Sequence, residues 1–130
     1  MNLKEELLGL IRALNDAGLE YAVCGGLAMI IHGFVRATED IDLLVPEVQL
    51  QQVLEVAKSV GFWIPSGRMP FKAKTPLAMD IFRVSKASGS DLISLDLIVV
   101  APGLEEIWHS QETYEFDNVH CRVVSRDGLI

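Results

Sequence analysis

The 130 residues are 50% hydrophobic and 22% charged, the composition of a globular chain long enough to build a core without disulfide staples, and the length predicts one domain. Eighteen acidic against eleven basic residues leave a net charge of −7, which excludes a broad electrostatic grip on nucleic acid while leaving room for a small basic groove. No apolar run is long enough to cross a membrane, Lys4, Glu5, Glu6 and Arg12 interrupt the N-terminal leucines where a secretion signal would not, and Cys24 and Cys121 lack the spacing of a zinc site; a cytoplasmic protein with reduced, buried thiols is expected.

Leu3, Leu7, Leu8, Leu10, Ile11 and Leu14 recur at helical spacing, with Asn2 placed to cap the helix and Gly18 to stop it. Tyr21 to Cys24 is a short apolar run that reads as a buried strand entering a turn at Gly25-Gly26, and Leu27 to His32 supplies one to two helical turns before Gly33. Asp40 to Val45 is a strand stopped by Pro46, and Glu47 to Val60 a second amphipathic helix ending at Gly61. Phe62 to Thr75, with Pro65, Gly67, Pro70 and the basic residues Arg68, Lys72 and Lys74, reads as a loop or weak edge region whose charges are either solvated or line a path for a phosphate chain or acceptor. Leu77 to Val84 and Leu92 to Val100 form two strands of an antiparallel hairpin, joined by the polar connector 85–91. Pro102 opens a short helix reaching Ser110, and Val119 to Val124 is a last strand. Trp63 and Trp108 are expected to pack in the core or at an edge, and His109 and His120 to lie on the surface. Ser125 to Ile130 resembles the opening of a further helix. The expected fold is α/β (α+β), a small mixed sheet with helices mainly on one face.

The chemistry concentrates in two strands. Residues i and i+2 of a strand share a face, so Asp40 and Asp42 stand side by side. Two carboxylates forced together repel, and such an oxygen-rich pair suits a hard cation such as Mg²⁺, which accepts substrate phosphates as further ligands. Asp96 lies inside the otherwise apolar run Leu92 to Val100, where a lone acid is costly unless paired or metal-bound. If its strand lies beside that of Asp40 and Asp42, three acids meet and could hold two cations; the bland reading is a buried acid satisfied by backbone donors or an arginine. Asp80 is a rival third acid on a neighbouring strand. Gly25 and Gly26, between a strand and a helix, could present bare backbone N–H groups to a phosphate chain. His32 reads as a packing residue, and Arg36 as either an anion clamp or a surface residue.

Gly25-Gly26-Leu27-Ala28, His32-Gly33, Arg36, Thr38 and Asp40-Ile41-Asp42 together resemble the signature of the polymerase-beta-type nucleotidyltransferases, nearest the minimal and the AbiEii-like toxin branches. The resemblance implies transfer of a nucleoside monophosphate from an NTP, with ATP the expected nucleotide, to a hydroxyl acceptor that is a protein, a tRNA end or a small molecule. It implies that Asp40, Asp42 and Asp96 hold two Mg²⁺ ions and serve catalysis, and that Gly25, Gly26, Arg36 and Thr38 contact the nucleotide. Family members carry a C-terminal helical segment, and a single domain lacking it is the expected organisation here. Two alternatives stay open: a catalytically silent copy of the fold that partners a toxin or antitoxin protein, and a phosphate-ester hydrolase using the same acids.

Overall fold

The computed structural model describes residues 2–25, 27–28, 40–71 and 79–125. Helix α1 (Leu3–Asp16) begins where the Asn2 side chain accepts the Glu5 N–H at 3.1 Å, and the chain leaves it through Gly18 in the left-handed region. Strand β1 (Ala22–Cys24) follows, the chain turns at Gly25 in the left-handed region, and the backbone is helical again at Leu27 and Ala28. Strand β2 (Asp40–Val45) has the predicted limits; beyond Pro46, a single 3-10 turn at Glu47–Gln49 leads into helix α2 (Leu50–Ser59). Then come β3 (Ile64–Phe71), β4 (Met79–Ser88), β5 (Asp91–Val99), a short helix α3 (Glu105–His109) preceded by a 3-10 turn from Pro102, β6 (Glu112–Phe116) and β7 (Val119–Val123).

The strands form one mixed seven-stranded sheet in the order β3-β4-β5-β2-β1-β7-β6. The contacts of β2 with β5 and of β1 with β7 are parallel, and the other four are antiparallel. One face is the core. Ile41, Leu43 and Val45 of β2 and Ile93, Leu95 and Leu97 of β5 are buried there, together with Leu7, Leu10, Ile11 and Leu14 of α1 and Val53 and Ala57 of α2. Lys86 shares this face with Val84. Its ammonium donates to the Val60 carbonyl at 3.1 Å and pairs with Glu6 at 2.7 Å, tying the end of α2 and the start of α1 to the same side of the sheet. Gly61 is needed beneath it: at φ +106, a Cβ would come within 2.8 Å of the Lys86 side chain. At the other end, Tyr21 is buried with its hydroxyl 3.0 Å from Asn15 Oδ1, and burial pushes its pKa up to about 12.

Three elements differ from expectation. The connector 85–91 is not a long loop: Ser85 pairs with Ser94, Lys86 with Ile93 and Ala87 with Leu92, so the strands run on to a tight turn at Gly89-Ser90, with Gly89 at φ +60. Polar residues continue the ladder because backbone groups, not side chains, make it. The Phe62 to Thr75 region contains a full edge strand, β3. Strand β6 was not predicted at all; it pairs with β7 through Asp117-Asn118, both at positive φ, the conformation a two-residue hairpin turn requires. Trp63 is 63% exposed and not a core residue, whereas Cys121 is buried as expected. The helix expected beyond Ser125 and most of the turns expected up to His32 lie outside the described residues.

Candidate active site

The pleat of β2 sends Ile41, Leu43 and Val45 into the core, and therefore Asp40, Asp42 and Leu44 to the opposite face. Strand β5 does the same, sending Leu95 and Leu97 inward and Ser94, Asp96 and Ile98 outward. The two strands are in parallel register with Asp40 opposite Ser94 and Asp42 opposite Asp96. On the outer neighbours, Arg83 of β4 stands opposite Asp96 and Cys24 of β1 opposite Asp42. A row Cys24–Asp42–Asp96–Arg83 thus crosses four adjacent strands. Beside it, Asp40, Ser94 and Ser85 form a second row, with the two serine hydroxyls 3.1 Å apart.

Asp96 is 8% exposed, and both of its oxygens are engaged: Arg83 donates from Nε to Oδ1 at 2.7 Å and from Nη2 to Oδ2 at 2.9 Å. This bidentate pair offsets the cost of an acid in a core strand, and it holds the guanidinium above its ordinary basicity. Asp42 carries the opposite stress. Burial, and then the charges of Asp96 and Asp40, push its pKa up to about 6, against a smaller opposing pull from Arg83. Burial, with Asp42 adding to it, also raises the Cys24 thiol well above the usual range, so it stays protonated and is no nucleophile.

Gly25 closes the row. It has φ +66, and a Cβ built there would collide with the Asp42 carboxylate, with Asp42 Cγ only 3.1 Å away. Glycine is required twice over, by the backbone conformation and by the approach of the acid. Asp80 takes no part: it alternates with Ile81 and Arg83 on β4 and so belongs to the core-facing side with Phe82 and Val84. Gly26, His32, Gly33, Arg36, Thr38, Lys72 and Lys74 lie outside the described residues.

The residue that sequence reasoning missed is Arg83. Its signal lay in the strand pattern: once β4 pairs antiparallel with β5, a basic residue alternating with Phe82 and Val84 falls on the same face as the buried acid. Among the described residues, no three His, Cys, Asp or Glu side chains are gathered closely enough to enclose a metal ion. Mg²⁺ does not require an all-protein cage, since it keeps waters and binds through one or two carboxylates plus substrate phosphates. Asp40 and Asp42 fit that donor set, and the repulsion that raises the pKa of Asp42 is what a cation would relieve. No helix among the described residues is long and apolar enough to cross a membrane.

No protein-family model matches the sequence, and no curated protein matches it significantly. Several solved structures share the fold. A Thermotoga maritima protein assigned provisionally as a nucleotidyltransferase superposes with a TM-score of 0.64 at 13% identity, over 99% of this chain and 83% of that one. ANT(2″)-Ia, in complex with adenylyl-2″-tobramycin, superposes with a TM-score of 0.56 at 15% identity, over 97% of this chain and 72% of that one. A provisionally assigned nucleotidyltransferase from Helicobacter pylori gives 0.54 at 15% identity, over 97% of this chain and 53% of that one. The fold is nucleotidyltransferase-like, a mixed sheet carrying its helices as the sequence resemblance implies.

Proposed function

We propose that the chain transfers a nucleoside monophosphate from a nucleoside triphosphate to a hydroxyl acceptor, releasing pyrophosphate. The observation that carries this reading is the juxtaposition of Asp40, Asp42 and Asp96 on one face of two parallel strands, with Gly25 pressed against the Asp42 carboxylate. The adenylylated product held by ANT(2″)-Ia makes adenylyl transfer from ATP the reaction to test first.

Asp40 and Asp42 would hold the divalent cation, with Mg²⁺ expected. Bound there, it would neutralise phosphate charge and fix the phosphate oxygens. Gly25, with no side chain, lets the Asp42 carboxylate lie against the turn, so that a phosphate seated on the backbone of Gly25 and Gly26 would reach a cation held by the acids. Asp96 would position the acceptor hydroxyl or, once one of its oxygens is released by Arg83, take its proton as the hydroxyl oxygen bonds to the α-phosphorus; the bond from that phosphorus to the bridging oxygen breaks, and pyrophosphate leaves with the electron pair. Positioning and charge, not covalent catalysis, supply the rate.

Titration calorimetry with Mg-ATP on the wild type and on Asp42→Asn tests this reading. The expected result is a binding heat that the variant loses. Equal heats for both would instead favour a fold that has kept its shape as a partner module, such as one half of a toxin–antitoxin pair. ATP labelled at the α-phosphate, offered with protein, tRNA and small-molecule acceptors, then separates transfer from hydrolysis: free AMP with no labelled acceptor means hydrolysis. For a competent enzyme, Asp42→Asn should lower transfer about a hundredfold or more, the loss of several kcal/mol of charge stabilisation.

A further inference from the structure

We infer that Arg83 is a built-in counter-ion: by engaging both oxygens of Asp96, it restricts this face to one divalent cation, at Asp40 and Asp42, while no nucleotide is bound. The inference rests on the metal-binding part of the function proposed above and deepens it. Three observations support it.

First, the pair is bidentate, with both contacts at 2.7–2.9 Å. A cation approaching Asp96 must therefore compete with a planar fork whose geometry already matches the carboxylate. Second, Asp96 has little freedom to turn elsewhere. Its side chain is 11% exposed, on a strand held by β2 on one side and β4 on the other, and Arg83 faces it directly through the β4–β5 register. Third, the charges count. Three carboxylates and one guanidinium leave a net charge of −2, which one divalent cation neutralises. A second divalent ion would meet a fixed positive charge at the oxygens it needs. Lysine at this position would keep the charge but not the two parallel bonds. Arg83 thus acts through Asp96 as a positioning residue, without touching substrate.

Counting bound Mn²⁺ by electron paramagnetic resonance, with no nucleotide present, tests this on the whole chain. The wild type is expected to bind one ion, Arg83→Lys one, and Arg83→Gln two, with the first held about tenfold more tightly than in the wild type. Circular dichroism verifies that the variants are folded, and Arg83→Met, which keeps an unbranched apolar stem, replaces the glutamine variant if that one does not fold. A merely structural arginine would change the melting temperature and not the ion count. Equal counts in wild type and Arg83→Gln, whether one or two, overturn the role of Arg83 and leave the metal reading standing. No bound ion in the wild type overturns the metal reading itself, and this inference with it.

Discussion

Strands β2 and β5 present two unlike surfaces from the same backbone. Toward the helices they place Ile41, Leu43, Leu95 and Leu97, all fully buried; toward the other side they place Asp40, Asp42, Ser94 and Asp96. The apolar surface gains by being packed. The acidic surface costs stability, because Asp42 is partly buried beside two like charges, and the charge of Arg83 offsets part of that cost. Alternation by one residue is all that separates a stabilising surface from a chemically poised one. The core face therefore pins the register, and the register in turn forces the acids together.

Substitutions on the two sides should behave as opposites. The largest effect belongs to the core: Leu95→Ala should lower unfolding free energy by about 2–5 kcal/mol, read from urea denaturation, while a folded fraction at low temperature keeps its affinity for Mn²⁺. Loss of ion binding from the folded fraction would show that the two faces are not independent. Next is Gly25→Ala, at the border between them. A left-handed backbone costs a non-glycine residue about 1–2 kcal/mol, and the new Cβ must move the Asp42 carboxylate, so stability and Mn²⁺ affinity should fall together. Unchanged Mn²⁺ affinity would limit Gly25 to a role in the turn.

The smallest effect is electrostatic, and its sign is opposite to that of the core. Asp42 binds its proton more tightly when folded, at a pKa of about 6 against an ordinary 3.8. The folded state therefore holds more protons across that window, and stability falls as pH rises from about 4 to about 6. After allowance for solvent screening, the loss is on the order of 1–2 kcal/mol. In chelator, Asp42→Asn should remove this slope and be the more stable protein at pH 7. Thermal melts at pH 4, 5, 6 and 7 measure it, and a wild-type melting temperature that rises through that range would contradict the repulsion.

Most of the sheet was legible because periodicity two and periodicity 3.6 leave different marks: α1, β2, α2 and the main strands all fall close to their apolar spacing. Strand β6 escaped because Thr113 and Glu115 are exposed and Tyr114 and Phe116 only half-buried, so its alternation is faint; the Asp117-Asn118 turn was the better sign. At the site, the pairing of Asp40 with Asp42 follows from the pleat alone. Placing Asp96 beside Asp42 needed the strand order, which no local pattern specifies. Arg83 was nearer to hand, since its strand and that of Asp96 were expected to form a hairpin, but the register that sets the two opposite each other depends on the tight turn at Gly89-Ser90, where a longer loop was expected.

The most direct test is crystallographic. Crystals grown with Mn²⁺ and a non-hydrolysable ATP analogue, with data collected at the manganese edge, should show an anomalous peak within coordination distance of Asp40 and Asp42 and the triphosphate running past Gly25. A nucleotide bound elsewhere, or an anomalous map with no peak at those two aspartates, would contradict the assignment of this face as the active site.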